Sequence, residues 1–212
     1  MSNCCARSYE RFFGERTARR DARRYRRKGL DPAAQRLVDE LAARGLSGAS
    51  VLEIGGGIGA IELELLKRGA ERATNVELSH GYEQEAQALV AEAGVGARIE
   101  RRHGDFVAAG EGLDPADVVV MHRVVCCYPD PEALVGHAAG HARRLLALTF
   151  PRDTWWIRLG SRVANVCFRA VGWVESYVHP PARILGAARS RGLTPIHEHS
   201  GRLWRTAVLE RE

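Results

Sequence analysis

The chain has 212 residues, enough for one well-buried domain and too few for two large ones, and its 45% hydrophobic and 27% charged composition excludes a fibrous or disordered protein. No apolar run approaches the roughly 20 residues that span a bilayer, and charge stands where a signal peptide needs its apolar core, so a cytoplasmic protein without a membrane span is expected. The net charge of +5 is unevenly placed: Arg7 to Lys28 holds ten basic and three acidic residues, which leaves the rest of the chain at −2.

Residues 1 to 29 read as two short helical pieces separated by Gly14, with Tyr9, Phe12 and Phe13 on one side of the first and Ala18, Ala22 and Tyr25 on one side of the second. A disordered basic tail has little use for such aromatics, so residues 1–30 are expected to dock as an arm or lid on a domain formed by residues 31–212. Asp31-Pro32 supplies an N-cap and a proline for the first helical position, and Leu37, Val38 and Leu41 give that helix its apolar face. Val51 to Ile54 is a strand that breaks into the turn Gly55-Gly56-Gly57, after which Ile58 to Arg68 is amphipathic. A second strand is expected over Ala73–Glu77, a helix from Tyr82 to near Gly94, a third strand over Ala97–Arg101, and a strongly apolar fourth over Asp117–Met121. Asp130-Pro131 opens a short helix, Leu145–Phe150 is a fifth strand, and Trp155, Trp156, Leu159, Val163, Val166 and Cys167 fall at helical spacing. Trp173–Val178 reads as extended, Pro181–Arg191 as a last helix, and Thr194–His199 with Leu203–Leu209 as a closing antiparallel pair. Strands alternating with helices define a doubly wound α/β sheet, whose ligands bind beyond the carboxyl ends of the strands.

The glycine turn has two spellings. Gly55-x-Gly57-x-x-Ala60, with Glu77 further on, satisfies a relaxed dinucleotide fingerprint. Glu53-x-Gly55-x-Gly57-x-Gly59 resembles instead the first motif of the class I S-adenosylmethionine-dependent methyltransferases, a resemblance that extends from about Asp31 to Arg211. An acid entering the turn would repel a pyrophosphate, no Tyr-x-x-x-Lys occurs, and the only lysines are Lys28 and Lys67, all of which favours the second spelling. The resemblance implies a seven-stranded Rossmann-like sheet with helices on both faces, S-adenosylmethionine as cofactor, and in-line methyl transfer to a small acceptor. It also implies that Glu77 and its neighbour Leu78 meet the ribose, while Asp105 and Phe106 meet the adenine amino group and ring. Gly55, Gly56, Gly57 and Gly59 would form the turn. Glu53 would answer the cofactor's ammonium group, directly or through water; its other reading is a cap on the turn's own N–H groups.

The acceptor is expected at the loop His122 to Pro129. His122 and Tyr128 are the side chains suited to orient or deprotonate an acceptor hydroxyl, with His122 also able to pack on the adenosine, and His179 is a candidate from a late loop. Arg123 and the arm arginines suit a carboxylate or other anion. The loop lacks the patterns of adenine N-methylating and cytosine C5 enzymes. The basic arm and late histidine resemble the magnesium-protoporphyrin O-methyltransferase branch, which implies a small acidic or aromatic acceptor under a lid. Two alternatives stand beside this one. Cys4, Cys5, Cys126 and Cys127 would bind a soft metalloid if the arm brought them together, although no zinc-type spacing is present and no metal is expected. The arm would alternatively contact nucleic acid, in a binding protein or an RNA methyltransferase.

Overall fold

The computed structural model describes residues 9–109 and 112–212. These form one seven-stranded sheet: β1 (Ser50–Ile54), β2 (Arg72–Glu77), β3 (Ile99–His103), β4 (Ala116–His122), β5 (Ala142–Pro151), β6 (Leu193–Ser200) and β7 (Trp204–Arg211), in the order β3-β2-β1-β4-β5-β7-β6. β1 to β5 run parallel, and β7 lies antiparallel between β5 and β6. This is the expected doubly wound sheet with its closing hairpin. Chain direction across the sheet reverses at β1, with β2 and β3 to one side and β4 and β5 to the other, which opens a crevice at the carboxyl ends of β1 and β4.

Among the described residues, seven helices of two turns or more flank the sheet: α1 (Glu15–Lys28), α2 (Pro32–Ala43), α3 (Ala60–Lys67), α4 (Glu83–Ala93), α5 (Pro131–His141), α6 (Trp155–Val171) and α7 (Pro181–Arg189). Successive strand side chains point to opposite faces, and both faces are covered. Leu52, Ile54, Val119, Met121, Leu146 and Leu148 pack with α5 and α7. Val51, Val118, Val120, Leu145 and Ala147 pack with α2 and α3. Burial on both sides is why these strands read as unbroken apolar runs.

The arm docks on this frame. Ala18 and Ala22 are fully buried against Ile58, Leu63, Tyr82 and Leu89. A Cβ on Gly81 would stand 2.7 Å from Gly14 Cα, so two backbones touch where the arm crosses the loop after β2. Glu10 accepts from His80 N at 2.8 Å, Ser79 Oγ donates to Phe13 O at 2.7 Å, and Tyr25 Oη donates to Glu64 Oε1 at 2.7 Å.

Several details differ from expectation. Gly59 adopts a left-handed φ of 74°, so α3 starts at Ala60 rather than Ile58. The third strand runs over Ile99–His103, not Ala97–Arg101, because Gly96–Arg98 is a 3₁₀ turn and the Arg98 guanidinium donates to the carbonyls of Ala70 and Glu71. The last strand reaches Arg211. Residues 173–178 join no strand: Tyr177 N donates to Cys126 O at 2.7 Å, and Ser176 bonds to Asn165 through N and O. Among the described residues no helix is long and apolar enough to cross a membrane.

Candidate active site

A cleft of about 540 Å³ opens at the carboxyl ends of β1, β2 and β4, within the size range of small-molecule sites. Its floor is the glycine turn. Gly55 and Gly57 hold left-handed φ values of 63° and 56°, and added Cβ atoms would strike Val124 at Gly55, and Asn75 and Glu53 at Gly56. Gly57 is pinned on both sides, its N–H donating to Glu77 Oε2 at 2.8 Å and its carbonyl accepting from Arg101 Nη2 at 3.0 Å. Glu77 also accepts from Ser79 N at 2.9 Å, so one buried carboxylate joins the turn to the end of β2. Burial pushes the Glu77 carboxyl above its ordinary value, against the pull of those N–H bonds.

Most of the expected residues come together here. Glu53, Gly55, Gly56, Gly57, Glu77, Leu78, Asp105, Phe106, His122, Arg123 and Tyr128 all line the cleft. Gly59 does not; it turns the chain into α3. Glu53 Oε2 accepts from Glu62 N at 2.9 Å, so it caps the first turn of α3 rather than the N–H groups of the glycine turn. Burial, reinforced by the charge of Glu62, pushes the Glu53 carboxyl far up. Asp105 Oδ1 accepts from Val107 N at 3.0 Å, which starts the single helical turn Phe106–Ala109.

Of the three candidate bases, His122 and Tyr128 line the cleft and His179 does not. His122 Nε2 is 3.1 Å from Asp31 Oδ2 and its Nδ1 is 3.1 Å from Thr149 Oγ1, so both ring nitrogens are engaged. Burial lowers the imidazole's proton affinity, although Asp31 works the other way. Tyr128 faces the cleft, but burial and the charges of Asp105 and Asp130 push its phenol up to about 12, which makes it a hydrogen-bond donor rather than a base at neutral pH. His179 is not among the cleft-lining residues. It lies buried behind the loop, its Nε2 2.9 Å from Tyr128 O, because the irregular segment before it packs against that loop instead of crossing the opening.

One role that escaped sequence reasoning is that of Asp31. Asp31 caps α2 through Oδ1, accepting from Ala33 N at 2.9 Å, and with Oδ2 holds both His122 and Arg123 Nη2 at 3.1 Å. Burial opposes its charge, but the His122 bond and the Arg123 cation outweigh that and hold the carboxyl well below the ordinary range. Arg123 is the one non-glycine residue with positive φ, 61°, among those described, and its guanidinium lies 4.8 Å from the Trp204 ring centre. Tyr9, Phe12, Phe13, Arg20 and Arg24 of the arm form the facing wall of the cleft, as their aromatic and basic pattern hinted. Tyr9 Oη donates to Cys127 O at 3.5 Å. The Cys126 and Cys127 sulfurs are 3.7 Å apart, whereas Cys4 and Cys5 lie outside the described residues. Among the described residues no group of three or more His, Cys, Asp or Glu is placed to hold a metal.

A glycine turn at the switch point of a doubly wound sheet, acids after the next two strands and an antiparallel last strand define the methyltransferase class of α/β fold. The chain belongs to the methyltransferase domain family, whose model matches residues 22–198. Magnesium protoporphyrin IX methyltransferase from Synechocystis PCC 6803 shares the fold in its structure with bound S-adenosylmethionine, at a TM-score of 0.72 and 21% identity over 98% of this chain and 97% of that one. Its complex with the demethylated product gives 0.69 and 22%, over 89% and 93%. Geranyl diphosphate C-methyltransferase from Streptomyces coelicolor A3(2) gives 0.65 and 14%, over 84% and 76%. No curated protein matches the chain in sequence.

Proposed function

We propose that the protein is an S-adenosylmethionine-dependent methyltransferase of small molecules that esterifies a carboxylate on an aromatic or apolar acceptor. The observation that supports the cofactor is the cleft floor: a turn with no room for a Cβ at Gly55 or Gly56, facing Glu77 and Asp105 from the next two strands. Glu77 and Leu78 would take the ribose, Asp105 and Phe106 the adenine, and the turn with Glu53 the amino-acid end. When bound, the cofactor supplies an electrophilic methyl group on a positively charged sulfur.

The protein's own task is then to align the nucleophile and exclude water. A hydroxyl acceptor needs a base, yet His122 has both nitrogens engaged and Tyr128 keeps its proton. A carboxylate needs none, since it is already ionised at neutral pH. Arg20, Arg24 and Arg123 on the cleft wall suit that anion, and Tyr9, Phe12, Phe13 and Tyr128 suit an apolar body. His122 therefore acts as a bracket between Asp31 and Thr149 that fixes the end of β4, and residues 1–30 act as the lid over the domain formed by 31–212.

Calorimetry should show micromolar binding of S-adenosylmethionine and its demethylated product, lost in Gly56→Ala. Binding of NAD in their place would overturn the reading. Incubation of a metabolite extract with a donor carrying a tritiated methyl group should then give label released as volatile methanol by alkali, as from an ester. Alkali-stable label would refute the carboxylate acceptor while leaving the methyltransferase in place.

A further inference from the structure

Helix α6 has no buried residue, although it is the longest helix described. Trp155 is 77% exposed, Leu159 53%, Val163 60% and Val166 66%. At 3.6 residues per turn these four fall on one stripe, with Trp156 and Cys167 along its border. The stripe is turned outward by the opposite side of the helix. Ser161 Oγ and Asn165 Nδ2 both donate to Ser176 O, at 2.8 and 2.9 Å, and Asn165 Oδ1 accepts from Ser176 N at 2.9 Å. Phe168, on the same side, packs on Phe12 of the arm and on Trp173 with ring centres 5.8 and 5.7 Å apart. Rotation of the helix to bury its apolar stripe would break all of these contacts.

The charges indicate what covers the stripe. Arg158, Arg162 and Arg169 stand three positions after Trp155, Leu159 and Val166, so they form a ridge along one edge of it, and α6 contains no acidic residue. Asp153 and Glu175, just beyond the helix ends, pair with Arg158 and Arg169 from outside. Two copies packed antiparallel, stripe to stripe, would bring arginine ridges together with no acid on either helix to answer them. The basic arm meets the same helix at its C-terminal end: Arg11 Nη1 donates to Val171 O at 3.1 Å, and α1, with its exposed Arg16, Arg23, Arg24, Arg27 and Lys28, begins three residues after Phe12.

We infer that α6 docks on the surface of an anionic phospholipid bilayer, with Trp155, Leu159, Val163 and Val166 set among the acyl chains below the headgroups and the arginines among the phosphates. An outward stripe with aromatic residues at one end and cationic side chains along its flank is the pattern of a helix that lies in the interface without crossing it. The basic arm supplies the second signal that stable attachment needs.

The full-length protein would be floated with vesicles of phosphatidylcholine alone and of phosphatidylcholine with phosphatidylglycerol in equal parts. Flotation with the anionic vesicles is expected, accompanied by a blue shift of tryptophan emission and quenching by brominated acyl chains. The Leu159→Gln/Val163→Gln/Val166→Gln variant changes only exposed side chains, so it should keep its melting temperature and float roughly tenfold less or worse. Three results would overturn the inference: equal flotation of the variant, equal flotation with neutral vesicles, or no flotation of the parent. In the last case, a dimer in the ultracentrifuge that the triple substitution dissolves would assign the stripe to a second copy instead.

Discussion

Replacing Glu62 with glutamine should change how folding stability responds to pH. Glu62 is fully buried under the glycine turn, beside the buried Glu53, and Arg101 Nη1 stands 3.7 Å from its Oε1. Burial, only partly offset by Arg101, raises the Glu62 carboxyl from its usual 4.5 to about 7. The folded state thus holds a proton that the unfolded chain releases, so stability falls as pH rises from about 4.5 to about 7 and is flat above that. The full displacement corresponds to about 3 kcal/mol. An amide of the same shape does not titrate. Relative to the parent, Glu62→Gln should gain roughly 2 to 3 kcal/mol between pH 5 and pH 8, or about 5 to 10 °C in melting temperature for a chain of this size. Urea unfolding of both proteins at the two pH values measures this gain, and constant effects of the substitution, such as loss of the Arg101 contact, cancel in the comparison. A stability difference between variant and parent that is the same at both pH values would refute the buried-carboxylate reasoning.

Asp31→Ala removes an N-cap and the partner of both His122 and Arg123, so stability should fall by about 2 kcal/mol or more at pH 7, and by less at low pH, because a carboxyl held low loses its contribution as it protonates. Chemical denaturation at pH 7 and pH 3 would show it. Gly81→Ala places a methyl group against Gly14, and limited proteolysis should cut near residues 9–28 more readily than in the parent while the core stays resistant. Arg123→Gly relieves a left-handed φ but forfeits the Asp31 pair; stability should change by less than about 1 kcal/mol while methyl transfer to an acidic acceptor falls at least roughly tenfold, read as a KM increase.

The sheet was legible because its strands are buried on both faces: Val118 to Met121 and Leu145 to Leu148 have no polar position to blur them. The third strand was misplaced for the opposite reason. β3 is an edge strand with no buried residue, and its start is set by Arg98 reaching carbonyls near α3 and β2. Local motifs marked much of the cleft wall, since the glycines and Asp105 follow strand ends and Glu77 closes one. What stayed hidden are contacts between distant positions. Asp31 announces a helix cap in the sequence, but nothing local shows its second oxygen on His122, 91 residues away. The spacing of Trp155 to Val166 likewise revealed a helix without revealing that its apolar side faces outward.

The contact between Gly14 and Gly81 has a mechanical consequence. A joint made of side chains can repack by small rotamer steps, and closure across it is graded. Two bare backbones have no such intermediate seatings, so in the proposed lid this crossing would be either seated or apart. With Tyr9, Phe12 and Phe13 carried on the same segment and lining the cleft, such a lid would release a spent cofactor only when the crossing is apart.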